Sequence, residues 1–218
     1  EKKRKQFDNI IPILKQFKNN NVKYILLKGP IFSKMIYKNE FLKDYKDIDL
    51  FIFDEDYEKA VNILLENDYK NINLYCYNDK IKMSDTEKLC LCKGDDNYFY
   101  NNTNGVEIKN FVRYIPKNKE KILKKHIIDF NVYGHMVSTL DYCFSFIIIL
   151  LYLYFVFLTY DGFKNKYKID YLLELIIFYK KYENELKIDE IQNTISKLAI
   201  KKYILELSKG MPQNSATF

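Results

Sequence analysis

Residues 47–53 read Asp-Ile-Asp-Leu-Phe-Ile-Phe, a β-prone apolar run that opens on two carboxylates. Side chains alternate across a strand, so Asp47 and Asp49 share one side while Ile48 takes the other. Two hard oxygen ligands converging at a strand edge suit Mg²⁺, which takes a few carboxylates plus water and phosphate oxygens rather than a full protein cage. Such an ion serves phosphoryl or nucleotidyl transfer, where it bridges phosphates and neutralises developing charge. The pair needs context, because 29 acids in 218 residues place acid-x-acid at several points by chance; Asp54-x-Asp56 and Asp56-x-Glu58 follow at once. That context lies upstream. Leu26-Leu27-Lys28-Gly29 ends one apolar run and Pro30 begins the next, so the N–H groups after Gly29 can face an anion at a helix N-terminus, with the charge of Lys28 beside them.

These residues must be positioned by the elements around them. Phe7, Ile10, Ile11, Leu14 and Phe17 recur at three- and four-residue steps and predict an amphipathic helix over 3–19, Pro12 notwithstanding. Residues 22–27 read as a strand, and Pro30 suits the first turn of a helix to about Tyr37, where its missing N–H is not needed. A polar linker spans 38–46. After the strand 47–53, Asp54 can cap a helix over 55–67 whose apolar stripe is Tyr57, Ala60, Val61, Leu64 and Leu65. From Tyr69 to Ile115 the pattern is short β-type runs, 72–77, 88–92, 98–101 and 106–112, broken by Asn, Asp and Gly as hairpins require. Beyond Pro116 helices are expected at about 117–126, 139–160, 167–183 and 187–208, with Gly210 as a stop. The chain thus divides into 1–116, 117–210 and a loose polar tail, 211–218, with no internal repeat.

The composition is 48% apolar, 29% charged and 17% aromatic, which excludes disorder and collagen-like repetition. A net charge of +6 raises the question of nucleic acid or an anionic membrane. The basic residues are spread along the chain among the acids, and only Arg4 and Arg113 are arginines. Without a clustered footprint or the guanidinium fork, a dedicated nucleic-acid partner is not expected. The abundance of Lys, Asn, Ile, Tyr and Phe is the mark of AT-rich codon usage. Cys76, Cys90, Cys92 and Cys143 show no zinc spacing and read as reduced, half-buried thiols of a cytoplasmic protein. The sequence opens on Glu1, which leaves room for a removed leader, and none is visible.

Residues 142–160 form a run of 19 uncharged residues, long and apolar enough to raise a bilayer span. Asp141 and Asp161 flank it, hydroxyl bearers interrupt it and no lysine cluster adjoins it. A central helix packed on all sides by neighbours is therefore expected, and a membrane partner is not.

Taken together, Tyr24-Ile-Leu-Leu-Lys-Gly29, Tyr37, Leu42-Lys-Asp-Tyr-Lys-Asp-Ile-Asp-Leu50, the helix with Tyr57-Glu-Lys-Ala60 and Leu64-Leu65, and Asp68-Tyr69 resemble the uncharacterised bacterial nucleotidyltransferases of the DNA polymerase β-like superfamily. Relative to the compact Gly-Ser nucleotidyltransferases the insert is long, with 17 residues between Gly29 and Asp47. The resemblance covers 22–70 closely and extends more loosely to about 178. It implies an α+β fold, a polymerase β-like mixed sheet with flanking helices, followed by an all-helical C-terminal domain that shapes the acceptor pocket. It also implies a third carboxylate on a later strand, matched by Gly105-Val-Glu-Ile-Lys109, where Glu107 stands for the family's Asp and Lys109 for its His. Lys43 replaces the usual Arg, keeping charge but losing the bidentate fork. The helix after Asp141 lacks a His common in relatives, and Asp170 matches a helical Asp. The expected activity is transfer of NMP from an NTP to an acceptor hydroxyl, with Asp47, Asp49 and Glu107 on Mg²⁺ or Mn²⁺ and Lys28, Gly29 and Lys43 on the triphosphate. A catalytically silent relative that binds nucleotide or a protein partner is the alternative, motivated by Glu107, Lys43 and Lys109.

Overall fold

A computed structural model describes residues 2–37, 48–71, 97–101, 105–159 and 165–210. The chain forms two compact units, Glu1–Asn110 with Ile128–Thr139, and Phe111–Ile127 with Leu140–Phe218. The expected runs 72–77 and 88–92, with Cys76, Cys90 and Cys92, lie outside the described residues, as do Lys43, Asp47 and the tail 211–218.

The first unit opens on α1 (Lys2–Asn19), whose stripe of Phe7, Ile10, Leu14 and Phe17 is buried while Pro12 sits on the exposed side. Asn21 turns the chain in the left-handed region (φ 55°), and the Val22 N–H returns to the Phe17 carbonyl at 2.8 Å. There follow β1 (Tyr24–Leu26), α2 (Pro30–Tyr37), β2 (Ile48–Ile52), α3 (Asp54–Glu66), β3 (Lys70–Asn71), β4 (Asn97–Tyr100) and β5 (Gly105–Lys109). The five strands form one mixed sheet in the order β1-β2-β5-β4-β3. Among the described strands β2/β5 pair in parallel, while β1/β2, β4/β5 and β3/β4 are antiparallel. A parallel pair cannot be closed by a tight turn, so the chain between β2 and β5 must cross over, and α3, β3 and β4 lie in that crossover.

Strand β2 is buried at all five positions. The pleat places Ile48, Leu50, Ile52, Val106, Ile108 and Phe99 on one face of the sheet. On that same face the buried Asn97 donates to the Tyr57 hydroxyl of α3 at 2.8 Å. Asp54 is not the cap of α3: Phe53 holds the capping position with no side-chain bond, and Asp54 instead accepts from Asn110 at 2.9 Å. Three acids crowd that first turn, where the helix dipole favours negative charge, so the helix starts without a side-chain cap.

Past Pro116 the structure departs from the expectation of helices alone. Residues 117–126 form a 3₁₀ helix, and β6 (Ile127–Val132) and β7 (His135–Leu140) form a separate two-stranded sheet. Tyr133 and Gly134 join them, both at positive φ (52° and 86°), the backbone of a two-residue hairpin turn. Gly134 donates its N–H to Asn131 Oδ1 at 3.1 Å. The buried Thr139 hydroxyl donates to the Leu26 carbonyl of β1 at 2.7 Å. Replacing it by Val, which keeps the shape, strips a buried carbonyl of that donor. Thr139→Val is expected to cost about 1–2 kcal/mol, read as a lower urea midpoint; an unchanged midpoint would remove this bond from the account.

The second unit is built around α4 (Tyr142–Thr159), packed by α5 (Asn165–Tyr182), α6 (Ile188–Lys197) and α7 (Lys201–Gly210). Phe144, Ile147, Ile148, Ile149, Leu151 and Leu153 of α4 are all buried. Rings seal its flanks: Tyr142 stacks on Tyr182 at 4.1 Å, and Tyr154 meets Tyr114 and Tyr203 at 5.1 and 5.3 Å. An 18-residue helix runs about 27 Å, short of a hydrocarbon core of about 30 Å. Among the described residues no helix is long and apolar enough to cross a membrane. The single helix expected over 187–208 is two, because Leu198 and Ile200 are both fully buried, and Ala199 between them turns through the left-handed region (φ 58°).

Candidate functional site

The other face of the sheet carries the chemistry. The register sets Asp49 of β2 opposite Glu107 of β5, and Glu107 opposite Tyr98 of β4, so the three form a row across adjacent strands. Lys109, two residues past Glu107, stands on the same side by strand alternation. Its Nζ is 2.8 Å from Glu107 Oε1 and 3.5 Å from Asp49 Oδ1. Lys28, just beyond β1, brings its Nζ to 3.8 Å from the same Asp49 oxygen. The backbone fixes this approach, since the Leu27 N–H donates to the Asp49 carbonyl at 2.9 Å. Asp49 is only 7% exposed. Two carboxylates and two ammonium groups thus share one small, partly desolvated patch.

Gly29 sits at φ 53°, the left-handed conformation that frees the chain to turn from β1 into α2. The helix N-terminus behind it is partly occupied by its own turn: the Ile31 N–H goes to the Lys28 carbonyl at 3.2 Å and the Ser33 N–H to the Gly29 carbonyl at 3.1 Å. Pro30 has no N–H to offer. The positive charge next to Asp49 accordingly comes from the Lys28 side chain more than from these amides.

Burial pushes the Glu107 carboxyl up to about 7, with the charge and hydrogen bond of Asp49 adding to the rise and Lys109 opposing it. Between about pH 4.5 and 7 the folded chain therefore holds a proton at Glu107 that the unfolded chain has released. Stability from this source is present in full below about pH 4.5 and is lost as pH rises through about 7. Discounted for solvent screening it amounts to on the order of 1–2 kcal/mol. Glu107→Gln should flatten the fall in melting temperature of the metal-free protein between pH 5 and 8; parallel curves for the two proteins would contradict this assignment.

The donor set fits a divalent cation. Asp49 and Glu107 supply paired hard oxygens in register across adjacent strands, the donor type such an ion takes. Of the residues expected to act together, the structure brings Asp49, Glu107 and Lys28 to one patch. Asp47 and Lys43 lie outside the described residues, and Asp170 is exposed on α5. Sequence reasoning gave no site role to Tyr98, whose only signal is a place in an alternating β run. Its ring lies against Gly105, where there is no room for a Cβ.

A second group with metal-ligand chemistry lies in the helical unit: ligand atoms of His126, Asp141 and Glu190 are within 4.8 Å of one another. The Asp141 carboxylate is already committed. Oδ1 accepts the Phe144 N–H at 2.8 Å, capping α4, and Oδ2 lies 2.8 Å from His126 Nδ1. The helix cap and the contact with His126 account for Asp141 and His126. Cys143, in the first turn of α4, is a buried free thiol whose pKa burial raises, and its Sγ lies 3.6 Å from the Glu185 carbonyl. Such a thiol is unreactive.

The mixed sheet with its acidic row, followed by a helical bundle, is the polymerase β-like nucleotidyltransferase fold. The solution structure of the antibiotic-resistance factor ANT(2'')-Ia superposes with a TM-score of 0.55 at 12% identity, over 93% of this chain and 96% of that one. The crystal structure of ANT(2")-Ia in complex with adenylyl-2"-tobramycin gives 0.54 at 11% identity, over 91% and 99%. The chain belongs to the uncharacterised nucleotidyltransferase family, whose model matches residues 1–207. No curated protein matches it.

Proposed function

We propose that this protein transfers NMP from an NTP to an acceptor hydroxyl, releasing pyrophosphate, with Mg²⁺ or Mn²⁺ as cofactor. The observation that carries the reading is the placement of Asp49 and Glu107 side by side across the parallel β2/β5 pair, with Lys28 at 3.8 Å. Family and fold support nucleotidyl transfer in general. Asp49 and Glu107, with Asp47 from the same motif, would hold the metal, which when bound neutralises charge on the phosphates. Lys28 would meet the triphosphate as a point charge, aided by the turn at Gly29 and by Lys43. Glu107 would either complete that metal site or take the acceptor hydroxyl's proton. The remaining catalysis comes from holding donor and acceptor in line and in place.

Lys109 favours a second reading, a silent relative that binds nucleotide without turnover, because its ammonium already bridges the two carboxylates. Incubation with each labelled NTP, divalent metal and a panel of hydroxyl acceptors separates the two. Labelled acceptor and pyrophosphate establish transfer. Metal-dependent nucleotide binding without pyrophosphate release from any NTP supports the silent reading, and no nucleotide binding at all ends both.

A further inference from the structure

The position of Lys109 raises a question that the transfer reading does not answer. Its side chain is only 15% exposed, and its Nζ contacts one oxygen on each carboxylate, 2.8 Å on Glu107 and 3.5 Å on Asp49. Lys28 differs: it is more exposed at 23% and lies farther from Asp49, at 3.8 Å. A divalent ion chelated between Asp49 and Glu107 would need oxygens from both at about 2.0–2.1 Å. An ammonium seated between the same two groups draws on the same negative charge and repels the incoming ion at close range, in surroundings where charges are weakly screened.

We propose that Lys109 is a tethered counter-cation that competes with the divalent metal for the Asp49–Glu107 pair. This rests on the metal-site reading given above. The site then loads only as the Lys109 ammonium withdraws, and the metal-free protein keeps its two carboxylates neutralised by its own chain. A further consequence concerns nucleotide. An NTP phosphate offers the withdrawn ammonium a new anionic partner, so metal and nucleotide should each strengthen binding of the other, through a residue that reaches both.

The test is a Mn²⁺ titration followed by electron paramagnetic resonance, on the full chain without nucleotide. Wild type is compared with Lys109→Met and Lys28→Met. Removing the competing charge should tighten Mn²⁺ binding by at least about tenfold in Lys109→Met, whereas Lys28→Met, whose ammonium is more exposed and farther from Asp49, should change it by less than about threefold. Lys109→Gln, which keeps a polar head, serves if the Met variant does not fold, and the same gain is expected. If wild type binds Mn²⁺ and neither Lys109 variant binds it more tightly, competition is wrong while the metal reading stands. Equal gains from Lys28→Met and Lys109→Met would reduce the effect to general charge and also overturn it. If neither wild type nor any variant binds Mn²⁺ at millimolar concentration, the metal reading falls and the competition with it.

Discussion

Asp49→Asn is expected to lower the rate of nucleotidyl transfer by on the order of 10³, with little change in folding. Asparagine keeps the size and shape of aspartate, so the backbone bond from Leu27 to residue 49 and the pairing of β2 with β5 survive. What is lost is the negative charge. Asp49 stands at the centre of the patch: it faces Glu107 across the strand pair and lies within 4 Å of both Lys28 and Lys109. A neutral amide there halves the charge that Asp49 and Glu107 offer to a cation, and turns an N–H₂ toward two ammonium groups. Pyrophosphate release from NTP in Mg²⁺, beside far-ultraviolet circular dichroism of the same samples, reads both parts. A variant within tenfold of wild type would remove Asp49 from the site. A variant that has lost its secondary structure would show a structural role instead.

The largest expected effect on stability is at Phe51. This ring is fully buried on the strand that carries Asp49, packed edge-on against Phe53 with centroids 4.9 Å apart. Truncating a buried Phe removes its transfer free energy and leaves a cavity that the surrounding sheet can only partly close. Phe51→Ala should therefore cost about 3–5 kcal/mol, a large share of the roughly 5–15 kcal/mol by which folded chains are stable. The comparison is Leu158→Ala, where the side chain is 56% exposed and the change should stay within about 0.5 kcal/mol. Denaturant midpoints for the two variants measure the difference. Similar midpoints would mean that Phe51 is not part of the core of its unit.

Asp49 and Phe51 lie on the same face of β2, one at the chemical patch and one in the hydrophobic core. The strand is short, so core packing two residues away sets the position of the carboxylate. A rigid element under a candidate site is what keeps its ligands in place.

Much of the first unit was legible from local pattern. Pro30 marked the start of α2, and the observed helix runs from Pro30 to Tyr37. The three- and four-residue spacing of α1 and α3 appears as buried stripes, because a helix must hide its apolar face on the nearest neighbour, except that in α3 Ile63 is buried and Leu65, expected on the stripe, is exposed. The hairpin 127–140 escaped notice, although Tyr133-Gly134 between two β-prone runs is a turn signal. The reason is that its faces are only half-buried, and a weak alternation reads like loop. The break at Ala199 was invisible for a different reason. Its positive φ follows from burying both Leu198 and Ile200, a demand of the surrounding helices and not of residue type.

The amino-acid sequence by itself determined the chemical candidates and their local setting: carboxylates at alternate positions on an apolar run, a Lys-Gly-Pro turn after a strand, and a Glu flanked by Val and Ile. Each of these depends on neighbours within a few residues, where covalent geometry decides which side a group takes. Only the tertiary structure decided that Asp49 and Glu107 face each other, that Lys109 reaches both, and that burial lifts Glu107 to about 7. Those facts come from a parallel strand pairing between distant segments, and register between strands is set by which faces can be buried together. Spacing along the chain cannot express it.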